Sequence, residues 1–481
     1  MSDVAVVGSG PNGLAAAVTM ARAGLSVHVY EAAETVGGGT RTAELMEPRH
    51  IHDICSAVHP LALASPFFRA FGLSERIELI TPDIAYGHPL DGGRSALAYR
   101  DLERSVEALG RDGDAWRRVF APLVRRVDGV VDVLLNSLLR VPADPVALAQ
   151  FGLRSLQLGT AAGRTVAGFR TEDARSLFTG VATHPVGPQP SLSSAGAGLL
   201  LGTAAHAKGW PIPVGGSQAI ADAMVADLLA HGGAVTTGRK VEDLNELKPA
   251  KTVLLDVAPQ GLLEMSQDRL PLKYANALRQ FRYADAACKV DFILSGPVPW
   301  ADPELTGAST VHVGGNSADI ARAENDVAAG RHPDRPFVLA SQPTPFDPSR
   351  APAGRHILWT YCHVPAGSTR DMTEAITRQL ERFAPGFRDV VVRSQATTAA
   401  GLERYNANYV GGDFGSGATS LRQMVARPTF SPKPWATPLE GVYLCSSSTP
   451  PGPGVHGMSG YLAAKLALKR QYGLQPPALN H

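Results

Sequence analysis

Cysteine is scarce in this chain of 481 residues, which carries only four. Cys55, Cys288, Cys362 and Cys445 lie far apart and none belongs to a C-x-x-C pair. Neither a redox disulfide nor a cysteine-based zinc site is therefore expected, and a reducing cytoplasm is the default setting. Net charge is lacking too: the formal value is +1. That excludes the concentrated basic composition that nucleic-acid binding requires. No apolar run reaches transmembrane length, and the uncharged stretch SLSSAGAGLLLGTAAHA is small and polar rather than oily. The opening MSDVAVVGSG has no charged segment followed by an apolar one, so no secretory leader is expected. Internal repeats and low-complexity linkers are also missing.

What is present is a globular composition, 44% hydrophobic and 19% charged, long enough for two or three domains with a sizeable core. Its first segment, VAVVGSGPNGLAAAVTMARAGLSVHVYEA, carries the most information. Val4 to Val7 suit a buried parallel strand. Gly8, Gly10 and Gly13 then form G-x-G-x-x-G ahead of a small-residue helix that Gly24 stops. Gly8 permits the tight turn, Gly10 lets a pyrophosphate approach the backbone, and Gly13 lets the helix pack against the sheet. Pro11 and Asn12 open the helix, whose N-terminus attracts phosphate. Glu31 ends the next strand, about 20 residues on, where it can accept from two ribose hydroxyls and would repel a 2′-phosphate. A second glycine cluster, Gly37, Gly38 and Gly39, precedes Arg41. A nicotinamide cofactor does not need it; a larger dinucleotide with a flavin does. No second G-x-G-x-x-G lies between a strand and a helix, so no nicotinamide domain is expected.

The other bare stretch is CSSSTPPGPGVHGMSGY, Cys445 to Tyr461, between a short strand and a helix. Its glycines let a ligand approach the backbone, and Ser448 and Thr449 offer hydroxyls. Gly454, Val455, His456, Gly457 and Met458 complete the loop and start a helix whose N-terminus favours negative charge.

Between these ends the pattern changes several times. Ile84 to Tyr99 reads as a hairpin around Asp91-Gly92-Gly93, and Asp101 as a helix cap. Trp116 to Arg140 reads as one amphipathic helix with paired arginines. It is either a lid or membrane-interface helix or an ordinary helix with a solvated basic face, and Asp128 and Asp132 favour the latter. Ser217 is expected to cap the next helix, and the strand TVLLD to lead back to the nucleotide-binding domain, with backbone near Val241 facing the adenine. From about 280 to 430 alternating strands and one long helix suggest an α+β domain with a mostly antiparallel sheet.

Three segments, the N-terminal motif with its GGG-T-R extension, GWPIPVGG, and YLCSSSTPPGPGVHGMSGYLAA, together resemble the phytoene-desaturase-like flavoproteins. KVDFILSGPVPW, YCHVP and NANYVGGD look nearest to the branch called pyridine nucleotide-disulfide oxidoreductase domain-containing protein 2. The resemblance implies a glutathione-reductase-type, Rossmann-like FAD-binding domain (α/β) interleaved with an α+β substrate domain of mixed or antiparallel sheet and helices. Residues 1–95, 206–275 and 435–475 would form the first, 276–434 the second, and 96–205 a helical cap. It implies FAD, a small hydrophobic substrate of isoprenoid or lipid-derived type, oxidation of that substrate by hydride transfer to flavin N5, and electrons passed to oxygen or a quinone. A peripheral membrane contact is compatible with it; oligomeric state is not indicated. Disulfide reduction is not expected without a C-x-x-C. Where carotenoid desaturases show Gly-Ala-Gly-Thr, this chain has Ser446-Ser447-Ser448-Thr449, which puts phytoene itself in doubt. A reduced-flavin reductase or isomerase, or a flavin-containing binding protein without turnover, are alternatives.

No strict acid–base motif stands out. His456 either acts on flavin or substrate or holds its loop. His59 follows the GGG cluster closely enough to enter the same site. Lys289 shares a strand face with Asp291; it either holds a water or an anionic ring, or forms a simple ion pair. Trp359, Tyr361 and His363 share a face of ILWTYCHV and line an apolar tunnel or a plain core. His50, His52 and Asp53 lack Cys or Glu partners nearby, so no metal site is expected.

Overall fold

The computed structural model describes residues 2–480. The N-terminal strand Val4–Val7 is buried on both faces and lies at the centre of a five-stranded parallel sheet. It pairs with Val27–Tyr30 on one side and Thr252–Leu255 on the other. Val442–Leu444 and Ala234–Thr236 form the two edges. Continuous apolar strands of this kind need helices on both faces. The helix Pro11–Arg22 supplies one cover, wedged between Gln218–Ala230 and the C-terminal helix Met458–Ala467. Its small residues let it sit close: Leu14 to Val18 are fully buried. Four of the strands run out on the same edge of the sheet, at Gly8, Glu31, Asp256 and Cys445. In an open parallel sheet that edge is where ligands bind.

A second, seven-stranded sheet carries Val391–Thr397, Ala286–Leu294, His356–Val364, Val338–Ser341, Thr310–Val313, Ile84–Leu90 and Arg94–Tyr99 in that order. It is antiparallel throughout except where Val311 meets Gly87. Alternation along His356–Val364 works as the pattern predicts: Trp359 and Tyr361 join one apolar cluster, Leu358 and Cys362 another.

The expected hairpin forms around the three-residue turn Asp91-Gly92-Gly93, with Gly92 and Gly93 both at positive φ, a conformation that favours glycine. It lies in the second sheet, however. The expected boundary at residue 95 therefore falls inside the strand Arg94–Tyr99 of that sheet. Helices between residues 102 and 208 form a cap around Trp116, Phe120, Phe169 and Phe178. The single helix expected from Trp116 to Arg140 is two, Gly113–Val124 and Val127–Leu134. The chain breaks at Arg126, whose φ of −120° is not helical. Asp101 caps Leu102–Ala108 as expected. Ser217 does not cap its helix. Its hydroxyl instead pairs with His59 at 2.7 Å, and its N–H donates to Asp53 at 2.7 Å.

Candidate active site

Glu31 leaves the strand Val27–Tyr30 with its carboxylate buried against the glycine loop. Ser9 donates to Oε2 from its amide at 2.9 Å and its hydroxyl at 2.5 Å. Ala33 N–H and Arg41 Nη2 donate to Oε1 at 2.9 and 3.0 Å. These four donors use the four acceptor positions a carboxylate offers. A ribose hydroxyl can reach Glu31 only by exchanging with one of them, and the Ser9 hydroxyl is the one free to rotate. Arg41 also donates to the Thr35 carbonyl at 2.9 Å, so it ties the second glycine cluster to the first.

Gly8 turns the chain at φ +93°. A Cβ at Gly13 would lie 2.2 Å from the Gly8 carbonyl oxygen, which is the close packing the motif exists for. No side chain caps the helix Pro11–Arg22 at Gly10. Asp256 reaches across from the neighbouring strand instead, accepting from Gly13 N–H at 2.9 Å. Burial pushes the Asp256 carboxyl up to about 7; the amides of Gly13 and Gly10 oppose the rise and the Glu31 charge adds to it. A carboxyl poised between its two forms thus stands at the helix end that attracts phosphate. The sequence reading missed Asp256. A polar residue ending an apolar strand at the ligand edge was the available signal.

From here a cavity of about 1130 Å³ runs through the molecule. Of the expected cofactor residues, Gly8, Gly10, Pro11, Asn12, Glu31, Gly38, Gly39, Arg41, Val241, Gly454, Val455 and His456 line it. Gly13, Gly37, Gly457 and Met458 stand behind this wall rather than in it. Ser448 and Thr449 are turned away: their hydroxyls donate to the carbonyls of Ser416 and Ser446, both at 2.8 Å. Ser446 and Ser447 face the cavity in their place. Met458 N–H is engaged as well, donating to His456 Nδ1 at 3.0 Å.

His456 has both ring nitrogens occupied, Nε2 lying 3.2 Å from the Gly452 carbonyl. Burial holds its pKa down to about 4. It is a neutral ring that locks the loop and has no spare position for proton transfer. His59 lines the cavity with Nδ1 unpartnered and is likewise pushed to about 4 by burial. Lys289, Trp359 and Tyr361 also line it. Lys289 is buried, ion-paired with Asp291, and 6.0 Å from the Trp359 ring centre. His52 approaches the same Asp291 at 3.3 Å. His363 does not reach the cavity wall; it points to Glu324, 2.7 Å away. Asp53 is taken up by Arg350 at 2.7 Å, which leaves His50, His52 and Asp53 in separate structural pairings.

The loop opposite is held by Arg427, which is fully buried and donates to the carbonyls of Ser447, Ser416 and Ala418. Asp413 accepts from the amides of Ala284, Gly415 and Gly417. Neither was legible in sequence, because each works through backbone atoms brought together by the fold.

Beyond Trp359 the cavity enters the helical cap, between the helices Val127–Leu134, Pro145–Leu158 and Leu192–Lys208. Cap side chains such as Leu135, Leu138, Phe151 and Leu201 line it. The titratable cap group on this wall, His184, is driven to about 3 by burial and is neutral. This end is apolar and uncharged.

The residues present fit a flavin dinucleotide. Glycine backbone borders the nucleotide end, Asn12 Oδ1 is buried, unpartnered and beside the cavity, and the volume exceeds the ~300–1,000 Å³ of an ordinary small-molecule pocket.

Comparison with known proteins agrees. Residues 6–71 match the NAD(P)-binding Rossmann-like domain. Pyridine nucleotide-disulfide oxidoreductase domain-containing protein 2 of Rattus norvegicus is 25% identical, over 97% of this chain and 93% of that protein. The 4,4′-diapolycopen-4-al dehydrogenase of Metabacillus indicus is 31% identical, over 26% of this chain and 26% of its own length. A limonene dehydrogenase polypeptide of Castellaniella defragrans is 32% identical, over 24% of this chain and 22% of its own length. Among solved structures, putrescine oxidase bound to putrescine shares the fold with a TM-score of 0.58 at 18% identity, covering 97% of this chain and 98% of that one. The expected resemblance to the branch of the rat protein is matched along nearly the whole chain, and the partial matches are to dehydrogenases. The expected Rossmann-like nucleotide-binding fold is borne out as well.

Proposed function

We propose that this chain is an FAD-dependent oxidoreductase that oxidises an uncharged, largely apolar substrate of isoprenoid or lipid-derived type. The substrate loses a hydride and a proton, and the electrons pass on to oxygen or a quinone. The observation that carries this reading is the continuous cavity, which joins the dinucleotide-binding edge of the parallel sheet to an apolar, uncharged tunnel in the cap.

Bound FAD supplies the two-electron chemistry by accepting the hydride. The chain's own residues do the rest. The glycine loop and Glu31 bind the nucleotide half. His456 and Arg427 fix the two loops that border the cavity. Trp359 and Tyr361, held edge to face with ring centres 5.2 Å apart, give the substrate a rigid wall. The cap excludes water. Lys289, anchored by Asp291, holds a proton or a water at that wall.

The tunnel's lack of charge favours this reading over a diamine oxidase, since burying a cationic amine without a carboxylate partner is costly. The partial relative named for limonene, an isoprenoid hydrocarbon, is in keeping with it. The test is anaerobic mixing of the purified, flavin-loaded protein with a panel of isoprenoids and lipids. At least one should bleach the flavin band, and Ala197→Trp, which places a large ring in the tunnel wall, should abolish the bleaching while flavin is retained. No bleaching across a broad panel counts against the proposal.

A further inference from the structure

Two histidines meet nitrogen to nitrogen behind the tunnel wall. His184 follows the cap helix Glu172–Ala182 and lines the cavity. Its Nε2 is 2.9 Å from His312 Nε2, with ring centres 5.1 Å apart, so the two nitrogens face each other almost head-on. Among the described residues this is the only hydrogen bond of the His184 ring, which leaves Nδ1 to the cavity. Burial keeps both rings neutral. One of the two nitrogens therefore donates and the other accepts. The direction decides whether His184 offers the tunnel a lone pair or an N–H.

A third ring sets that direction. Val311 pairs with Gly87 in the second sheet, so His312 and His88 stand side by side on one of its faces. Both are fully buried. The helix Glu172–Ala182 crosses them at Gly180, where a Cβ would lie 3.0 Å from His88 Nδ1 and 3.1 Å from His312 Cγ. His88 Nε2 is 2.7 Å from the Gly315 carbonyl oxygen. A carbonyl only accepts, so neutral His88 carries its proton on Nε2 and a lone pair on Nδ1. Nδ1 of His88 and Nδ1 of His312 are both buried without a partner. A second lone pair on His312 would leave two bare acceptors side by side, and buried acceptors are costly to leave unpaired. A proton on His312 Nδ1 gives the His88 lone pair a donor instead. His312 Nε2 then accepts from His184 Nε2–H, and His184 Nδ1 presents a lone pair to the tunnel. The remaining titratable neighbours do not disturb this order. Nδ1 of His363, which faces His184, is taken by Glu324 at 2.7 Å, and Glu172 faces His88.

We propose that His184 is the catalytic base that takes the substrate's proton, with His312 and His88 as positioning residues that fix its tautomer. The proposal rests on the function proposed above, which removes a hydride and a proton from the substrate. Once the hydride has gone, the carbon left behind is electron-poor and the C–H bond beside it is strongly acidic. That proton passes to His184 Nδ1, and the electron pair of the C–H bond stays behind to form the C=C bond. The substrate is oxidised by two electrons, and His184 becomes an imidazolium that still donates to His312. A ring held down to about 3 is neutral and ready, and it is base enough for so strong an acid. When the product leaves, the proton passes from Nδ1 to water in the tunnel. His184 thus has the free position that His456, with both nitrogens engaged, lacks.

The test has two arms on the flavin-loaded protein. The first is nitrogen NMR with histidine labelled in its ring nitrogens, His184 being assigned by the loss of its signals in His184→Gln. A bare ring nitrogen resonates far from a protonated one, so the tautomers read directly, without turnover. His184 and His88 should carry their protons on Nε2 and His312 on Nδ1. A proton on His184 Nδ1 overturns the proposal. The second arm is the rate of flavin bleaching under anaerobic conditions with a compound that bleaches the wild type. His184→Gln should slow it ~100-fold or more with flavin content and thermal midpoint kept. His312→Leu, which leaves the His184 N–H without an acceptor, should slow it ~10-fold. His312→Gln offers an acceptor in the same place and should restore most of that loss. Bleaching by His184→Gln at the wild-type rate overturns the proposal. A panel that bleaches nothing counts against the function alone, and the tautomers then decide whether His184 is built as a base.

Discussion

Asp256 accepts a hydrogen bond from the Gly13 amide at 2.9 Å, although the two residues lie 243 positions apart. This contact puts an acid at the head of the helix meant for a pyrophosphate. Its raised pKa gives the sign of the effect. Between about 4 and 7 the folded protein holds a proton that the unfolded chain has released, so this group's contribution to stability is full at low pH and fades as pH rises to about 7. Above 7 the ionised carboxylate repels the pyrophosphate, and FAD binding must take up a proton. The dissociation constant for FAD should therefore rise up to ~10-fold per pH unit above neutrality. In Asp256→Asn it should be flat. Fluorescence titration of the flavin-free protein at several pH values reads this directly.

Glu31 holds the glycine loop through Ser9 and the second glycine cluster through Arg41. Glu31→Gln weakens a set of charge-assisted bonds and should reduce FAD affinity ~10- to 100-fold. Glu31→Arg adds a positive charge where four donors already converge and should leave the purified protein without flavin. Unchanged flavin content in the arginine variant would remove Glu31 from the nucleotide site.

Lys289 and Asp291 are both buried, so removing the lysine leaves Asp291 with only the His52 ring, 3.3 Å away. Lys289→Met should cost about 3–5 kcal/mol in chemical denaturation. Lys289→Met combined with Asp291→Asn should recover most of that stability but not turnover. Recovery of turnover in the double variant would make the pair structural only.

Gly460, in the C-terminal helix, packs directly on the first: a Cβ there would lie 1.8 Å from the Asn12 carbonyl oxygen. Gly460→Ala should destabilise the fold by about 3 kcal/mol and loosen FAD with it. Gly152 meets nothing within 4 Å, and Gly152→Ala should instead stabilise its helix by ~0.5–1 kcal/mol. Denaturant midpoints of the two variants should move in opposite directions.

The two ends of the chain were legible in sequence because their signals are local: glycine spacing, apolar strands and an acid at a strand end. The alternation that brings Trp359 and Tyr361 to the cavity was legible for the same reason. The sheet that receives the hairpin Ile84–Tyr99 was not, because it depends on the distant pairing of Val311 with Gly87. Ser448, Thr449 and His456 show a second limit. Their loop was readable as backbone a ligand approaches, but side-chain direction is set by the carbonyls of Ser416, Ser446 and Gly452, which sequence does not place.

The measurement closest to the central claim is an anaerobic absorbance titration of the flavin-loaded protein against two substrate classes. One is uncharged isoprenoids such as limonene; the other is diamines such as putrescine. A tunnel without charge predicts bleaching by a member of the first class and none by the second. Bleaching by the diamines alone, or a purified chain that neither carries nor binds FAD, would contradict the account.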